Sequence, residues 1–169
     1  DGGTRLDRAR DLLRGLLDRL QGERVGLIVF AGTAYVQVPL SSDYQIIREF
    51  LPLLEPGYIP RGGSDYAGML KAAQEGFSQD QETDRYLVVL SDGESTTEGW
   101  REQVVDLARR QVRVLAFGLG SEKGGLVPLH GDAEDEPAVI SKFQPSTLRA
   151  LVASTEGVYE HVSPATDLG

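Results

Sequence analysis

Tyr86-Leu87-Val88-Val89-Leu90-Ser91-Asp92-Gly93-Glu94 is the stretch whose reading decides the fold. An unbroken run of apolar, β-favouring residues is the pattern of a strand covered on both faces, as strands inside parallel sheets are. The polar residues that follow at once put a hydroxyl and two carboxylates beyond the strand's carboxyl end. Downstream, the spacing from Trp100 to Arg110 predicts a helix and Val112 to Phe117 another strand. Upstream, a Gly/Pro-rich loop over 56–63 leads to Ser64, which is suited to cap a helix carrying Ala67, Leu70, Ala73 and Phe77 inward.

Further out the alternation continues. Thr4-Arg5-Leu6-Asp7 reads as a capping signal, and Leu6, Ala9, Leu12, Leu13, Leu16, Leu17 and Leu20 recur at helical spacing until Gly22. Val25 to Phe30 is a second buried run, expected in a parallel sheet, and Ala34 to Val38 an edge strand folded back as a hairpin and ended by Pro39. Ser42 with Gln45 is read as the cap of a helix with Ile46, Ile47, Phe50, Leu51 and Leu54 inward, shortened or kinked by Pro52. After a loop over 118–125, residues 126–143 read as a hairpin excursion with an acidic tip at 132–136, a candidate partner surface. Pro145 then opens a helix with Leu148, Leu151 and Val152, Gly157 closes it, and Val158–Val162 is a last strand. No internal repeat or domain boundary is evident, so residues 1–169 are read as one α/β domain. It is a Rossmann-like, doubly wound, mostly parallel sheet whose ligands gather at the carboxyl ends of the strands.

Composition narrows the function classes. A net charge of −9 opposes binding to a phosphate backbone, which draws its strength from clustered Lys and Arg. The absence of cysteine excludes disulfides, thiolate metal sites and a cysteine nucleophile. No stretch approaches the ~20 apolar residues of a membrane span, and no signal segment opens the sequence, so these residues are expected to be soluble. Polar residues at both ends leave room for a parent protein to continue in either direction.

The loops beyond the strands offer oxygen ligands. Ser91, Asp92 and Glu94 stand on one, and Gly62-Gly63-Ser64-Asp65 brings another hydroxyl and carboxylate on a close-approaching backbone. Hard cations such as Mg²⁺, Mn²⁺ or Ca²⁺ prefer oxygen, and Mg²⁺ commonly completes its shell with water or a partner's carboxylate. A structural reading accounts for the same residues: Ser64 as helix cap, Asp65 at the positive helix end, Asp92-Gly93 as a turn pair.

The run Val25-Gly26-Leu27-Ile28-Val29-Phe30-Ala31-Gly32-Thr33-Ala34-Tyr35-Val36-Gln37-Val38-Pro39-Leu40-Ser41-Ser42-Asp43-Tyr44 resembles von Willebrand factor type A (VWA) domains of the bacterial aerotolerance (BatA/BatB) group. The segments from Leu87 to Glu94 and Gly62 to Asp65 resemble two more parts of that family, and the similarity reaches from Arg5-Leu6-Asp7-Arg8-Ala9 to the last strand. The resemblance implies a protein-interaction module with a metal-ion-dependent adhesion site (MIDAS). Ser64 and Asp92 then match metal ligands, and Asp65, Ser91 and Glu94 stand where they could orient ligands or waters. It also implies the non-membrane part of a bacterial inner-membrane stress or aerotolerance protein, periplasmic rather than cytoplasmic, working beside a MoxR-type AAA+ ATPase.

One departure has physical consequences. The family's first strand, central in its sheet, and the Asp-x-Ser-x-Ser metal loop after it would precede Asp1. Mg²⁺ is therefore expected to bind weakly or not at all, and the central gap to invite strand exchange, including a strand-exchanged homodimer. A metal-independent interaction domain is the alternative. A Rossmann-like hydrolase or nucleotide-binding enzyme is disfavoured. The glycine-rich loop 118–125 leads into Leu126-Val127-Pro128-Leu129 instead of a helix, no G-x-S-x-G elbow or Walker loop occurs, and His130 and His161 lack evident catalytic partners.

Overall fold

The computed structural model describes residues 3–77, 83–120, 125–126, 140–141 and 143–162. Helix α1 (Arg5–Arg19) begins at a reciprocal capping box: Thr4 accepts from the Asp7 backbone and Asp7 from the Thr4 backbone. Strands β1 (Val25–Phe30) and β2 (Ala34–Ser41) follow, then helix α2 (Tyr44–Phe50), which passes into a 3-10 turn at Leu51–Leu53 where Pro52 cannot continue the ladder. Helix α3 (Tyr66–Gly76), strand β3 (Arg85–Ser91), helix α4 (Trp100–Arg109) and strand β4 (Val112–Leu119) come next. A short pair, β5 (Gly125–Leu126) with β6 (Ile140–Ser141), helix α5 (Pro145–Ser154) and strand β7 (Val158–Val162) complete the order.

Strands β3, β4 and β7 form a parallel sheet in that order, as the buried runs predict. The expectation for Val25 to Phe30 is corrected. Among the described residues, strand β1 pairs only with β2, antiparallel, as a separate two-stranded sheet. Burial on two faces does hold: Ile28 and Phe30 pack against one apolar cluster, and Val25, Leu27 and Val29 against another. Direction is fixed by the neighbour, and among the described residues the only hydrogen-bonded neighbour of β1 is the strand to which it is hairpin-linked.

Two helix caps and one strand end also differ from expectation. Asp43, not Ser42, caps α2, its side chain accepting from Gln45, and Asp65, not Ser64, caps α3, accepting from Gly68. Carboxylates outcompete the adjacent hydroxyls there because charge favours the positive helix end. Strand β2 runs through Pro39, which lacks a donor, because the register shifts around Gly26 and, among the described residues, β2 has β1 as its only partner.

The larger cluster joins Tyr66, Met69 and Leu70 of α3, Leu87 and Val89 of β3, Val104 and Leu107 of α4, Val114 of β4, and Leu148 and Leu151 of α5. The smaller one joins Leu17 of α1, Val38, Ile47, Leu51 and Leu54. Among the described residues the buried side chains thus form two clusters, which take alternate residues of β1. The β5–β6 pair brackets the expected hairpin excursion, while its acidic tip at 132–136 and the linker at 78–82 lie outside the described residues.

Candidate functional site

Four loops meet at the carboxyl ends of β1 and β3, and backbone hydrogen bonds tie them together. Asp65 N–H donates to the Ala31 carbonyl at 2.6 Å and Gly32 N–H to the Arg61 carbonyl at 2.9 Å, joining the loop after β1 to the loop before α3. Ser64 N–H donates to Thr96 Oγ1 at 2.8 Å, and Thr96 N–H returns a bond to the Ser64 carbonyl at 3.2 Å, joining that loop to the one after β3. Gln144 N–H donates to the Asp92 carbonyl at 2.8 Å, adding the loop before α5. Gly93 makes this last approach feasible: its φ is +85°, and a Cβ there would lie 2.0 Å from the Gln144 carbonyl oxygen.

Side chains reinforce the clamp. Tyr66 is fully buried, donates from its hydroxyl to Ser91 Oγ at 2.7 Å, and meets Phe30 edge to face at 5.4 Å between centroids. Burial pushes the Tyr66 phenol well above the ordinary tyrosine range, the nearby Asp92 carboxylate adding to this and the bond to Ser91 partly opposing it. The hydroxyl therefore stays protonated and remains a donor that holds Ser91 in place. Ser91 Oγ also accepts from Gly93 N–H at 3.2 Å. Asp65 Oδ1 accepts from Gly68 N–H at 2.9 Å and from Thr97 Oγ1 at 3.2 Å.

Of the residues predicted from sequence, Ser64, Ser91 and Asp92 line one cleft of about 250 Å³, together with Arg5, Leu6, Ala9, Phe30, Leu90 and Leu119. Glu94 enters through its backbone, donating to Asp92 Oδ1 at 3.2 Å. Asp65 is turned to its helix and to Thr97. Arg5 is the participant that sequence reasoning missed: its Nη1 lies 2.8 Å from Asp92 Oδ2, and both side chains are mostly shielded from water. Thr96, Thr97 and Tyr66 were missed as well. The two threonines had a readable signal, since hydroxyls beside the Ser91–Glu94 stretch are natural loop-locking groups, whereas Arg5 had none.

The oxygens at this cleft have the chemistry a hard cation wants, but the residues present do not make a cation site on their own. Both Asp92 oxygens are engaged, one by a guanidinium, and Ser91 Oγ accepts two hydrogen bonds. No group of three or more His, Asp or Glu that could hold a metal occurs among the described residues. Ser64 and Asp92 alone are too few to displace much of the hydration shell of Mg²⁺, which requires about six oxygens.

Among the described residues no helix is long and apolar enough to cross a membrane. An uncharacterized protein of Borreliella burgdorferi is 31% identical over 167 residues, covering 95% of this chain and 48% of that protein. The chain thus spans about half the length of the curated relative it matches. The crystal structure of an aerotolerance-related membrane protein from Bacteroides fragilis, carrying multiple mutations to serine, superposes with a TM-score of 0.84 at 25% identity over 94% of this chain and 81% of the other. The structure of BatB from Bacteroides thetaiotaomicron does so with a TM-score of 0.84 at 27% identity, over 93% and 79%. The family model for the von Willebrand factor type A domain matches residues 1–94, the part that carries the hairpin, the loop before α3 and the Ser91–Glu94 loop. With the split α/β sheet and the clamped loops at its strand ends, this match establishes that the chain belongs to the von Willebrand factor type A domain family, whose members generally mediate protein interactions.

Proposed function

We propose that this chain is a protein-interaction module, not an enzyme, whose partner docks on the crest formed by loops 31–33, 61–66 and 91–97. It serves as the part outside the bilayer of a bacterial inner-membrane aerotolerance-type protein, on the periplasmic side, with a MoxR-type AAA+ ATPase as the partner system. One observation carries the reading. The concave surface at the strand ends, where Ser64, Ser91 and Asp92 stand among apolar residues such as Phe30 and Leu90, is held in place by reciprocal Ser64–Thr96 bonds and by Tyr66–Ser91, as a preorganised recognition surface needs to be. The likeness to membrane proteins of the aerotolerance group supports the setting.

In this reading residues 1–169 are one domain without the family's first strand. A divalent cation (Mg²⁺, Mn²⁺ or Ca²⁺) on Ser64 and Asp92 requires further oxygens, from the segment that precedes Asp1 in a longer chain and from an acidic residue of the partner. The metal-independent alternative is supported by the Arg5–Asp92 ion pair, in which a side chain of this chain neutralises the carboxylate.

Selection of a random peptide library on the immobilised domain, with Mg²⁺ or with chelator, tests the proposal. Enriched peptides should carry an acidic residue and lose binding to the Ser64→Ala/Asp92→Ala variant. Peptides that bind that variant equally well would place the docking surface elsewhere, and chelator sensitivity separates the two cation readings.

A further inference from the structure

We propose that the open edge of β2 over 34–36 takes up an extended segment of a partner protein as an added strand, and that this segment is uncharged, rich in β-branched residues and flanked by basic ones. Two side chains show why a strand is the occupant. In the β1–β2 ladder Tyr35 pairs with Val29 and Val36 with Ile28, and residues paired across an antiparallel ladder point to the same face. Val29 packs against the smaller cluster and Ile28 against the larger, so Tyr35 and Val36 stand on opposite faces of the hairpin. Both are nevertheless exposed, at 53% and 45%. Their neighbours are covered: Ala34 packs against the larger cluster and Val38 is buried in the smaller. A helix or a flat surface laid on this hairpin would cover one face only. A strand added beside β2 brings side chains to both faces at once, and it pairs the backbone groups that, among the described residues, no second strand takes from β2.

Protection against edge pairing is present in β2 but confined to its other end. The register shifts relative to β1 and Pro39 lie between Val36 and Ser41, where bulges and a missing donor disfavour a further strand, whereas Ala34, Tyr35 and Val36 pair in regular register. Charge, the other usual guard of an edge, is missing: no Asp, Glu, Lys or Arg occurs from Val25 to Ser42 in a chain of net charge −9. An uncharged strip accepts an uncharged strand without burying an unpaired charge, and the acidic body around it favours Lys or Arg at that strand's ends. Tyr58, also exposed and tied by its hydroxyl to Gln37 Oε1 at 2.9 Å, continues the apolar strip beyond Val36. The edge lies on the hairpin and not in the cleft of Ser64 and Asp92, so docking there depends neither on that cleft nor on a cation.

The probe is a short peptide of alternating Val and Thr with paired lysines at each end, titrated into the isotope-labelled chain and followed through backbone amide resonances and their hydrogen exchange. It should shift the amides of 34–36 and slow their exchange, leaving those of 85–91 unchanged. Methylating consecutive backbone N–H groups of the peptide, which blocks both of its edges, should weaken binding about tenfold or more, as the loss of several backbone hydrogen bonds implies. Val36→Lys, at an exposed position where circular dichroism should show the fold intact, should weaken it about fivefold, and a glutamate-flanked peptide should bind less tightly than the lysine-flanked one. Absence of binding, equal binding of the methylated or the glutamate-flanked peptide, or protection confined to the edges of β1 and β3 would each overturn the proposal. Protection of 34–36 that grows with protein concentration alone would make a second copy the occupant and overturn it too. Failure of peptide selection at the crest would leave these readouts untouched.

Discussion

The strands Val25–Phe30 and Arg85–Ser91 are both built on short apolar, β-branched runs, yet the molecule uses them differently. In β3, Leu87 and Val89 are buried in the larger core and the backbone is paired along its length with β4. In β1 no side chain is fully buried, the pairing is with a hairpin partner alone, and the register shifts twice within the strand. A strand's burial thus depends on what lies beside it as much as on its own residues. Phe30 and Leu90 line the same cleft, and among the described residues β1 and β3 are each paired along one edge only. Such edges hold backbone groups that another strand can satisfy.

The contrast can be tested in decreasing order of effect. Leu70→Ala, at a fully buried position of the larger core, should cost about 3–5 kcal/mol in chemical denaturation, whereas Leu27→Ala on half-buried β1 should cost roughly 1–2 kcal/mol. Equal losses would mean that the two halves are packed alike. Gly93→Ala combines a left-handed backbone with a Cβ driven into the Gln144 carbonyl, and should destabilise by about 2–3 kcal/mol while detaching the α5 loop from the crest. A smaller change, measured the same way, would show that this loop shifts freely.

Tyr66→Phe should cost about 1 kcal/mol through the lost bond to Ser91. It should also alter the alkaline limb of the stability curve. The folded-state value of Tyr66 is raised, so its stabilising effect is complete below the unfolded tyrosine value near ~10 and is lost as pH climbs above it, where the unfolded chain releases a proton that the folded chain retains. Stability should therefore fall less steeply above that pH in Tyr66→Phe than in wild type. Parallel curves would remove Tyr66 from the account. The smallest effect belongs to Val36→Thr on the exposed face of β2, within about 0.5 kcal/mol.

Much of the fold was legible because its signals are local. The heptad-like leucines of α1, the buried runs of β3 and β4, and Pro145 at the start of α5 each specify an element through a few neighbouring residues. The direction of β1 was not legible, because parallel and antiparallel pairing leave the same apolar run. The caps of α2 and α3 were each displaced by one residue, since Ser42-Asp43 and Ser64-Asp65 both present two competent caps side by side. At the crest, the meeting of Ser64, Ser91 and Asp92 at one cleft was legible because Ser91 and Asp92 stand at the end of a buried strand and Ser64 stands just before a helix, and both loops match the family's. Arg5 could not be found that way: it meets Asp92 from 87 positions away, through the packing of α1, and no spacing rule encodes such a contact.

The interaction surface and its cation dependence are tested most directly by calorimetric titration of Mg²⁺ and Mn²⁺ into this chain and into a form extended upstream through an Asp-x-Ser-x-Ser segment, with oligomeric state followed by light scattering. The account predicts little or no binding by this chain, with strand-exchanged dimers as its concentration rises, and binding by a monomeric extended form that is lost on Asp92→Ala. Tight binding by this chain that survives Asp92→Ala would contradict it.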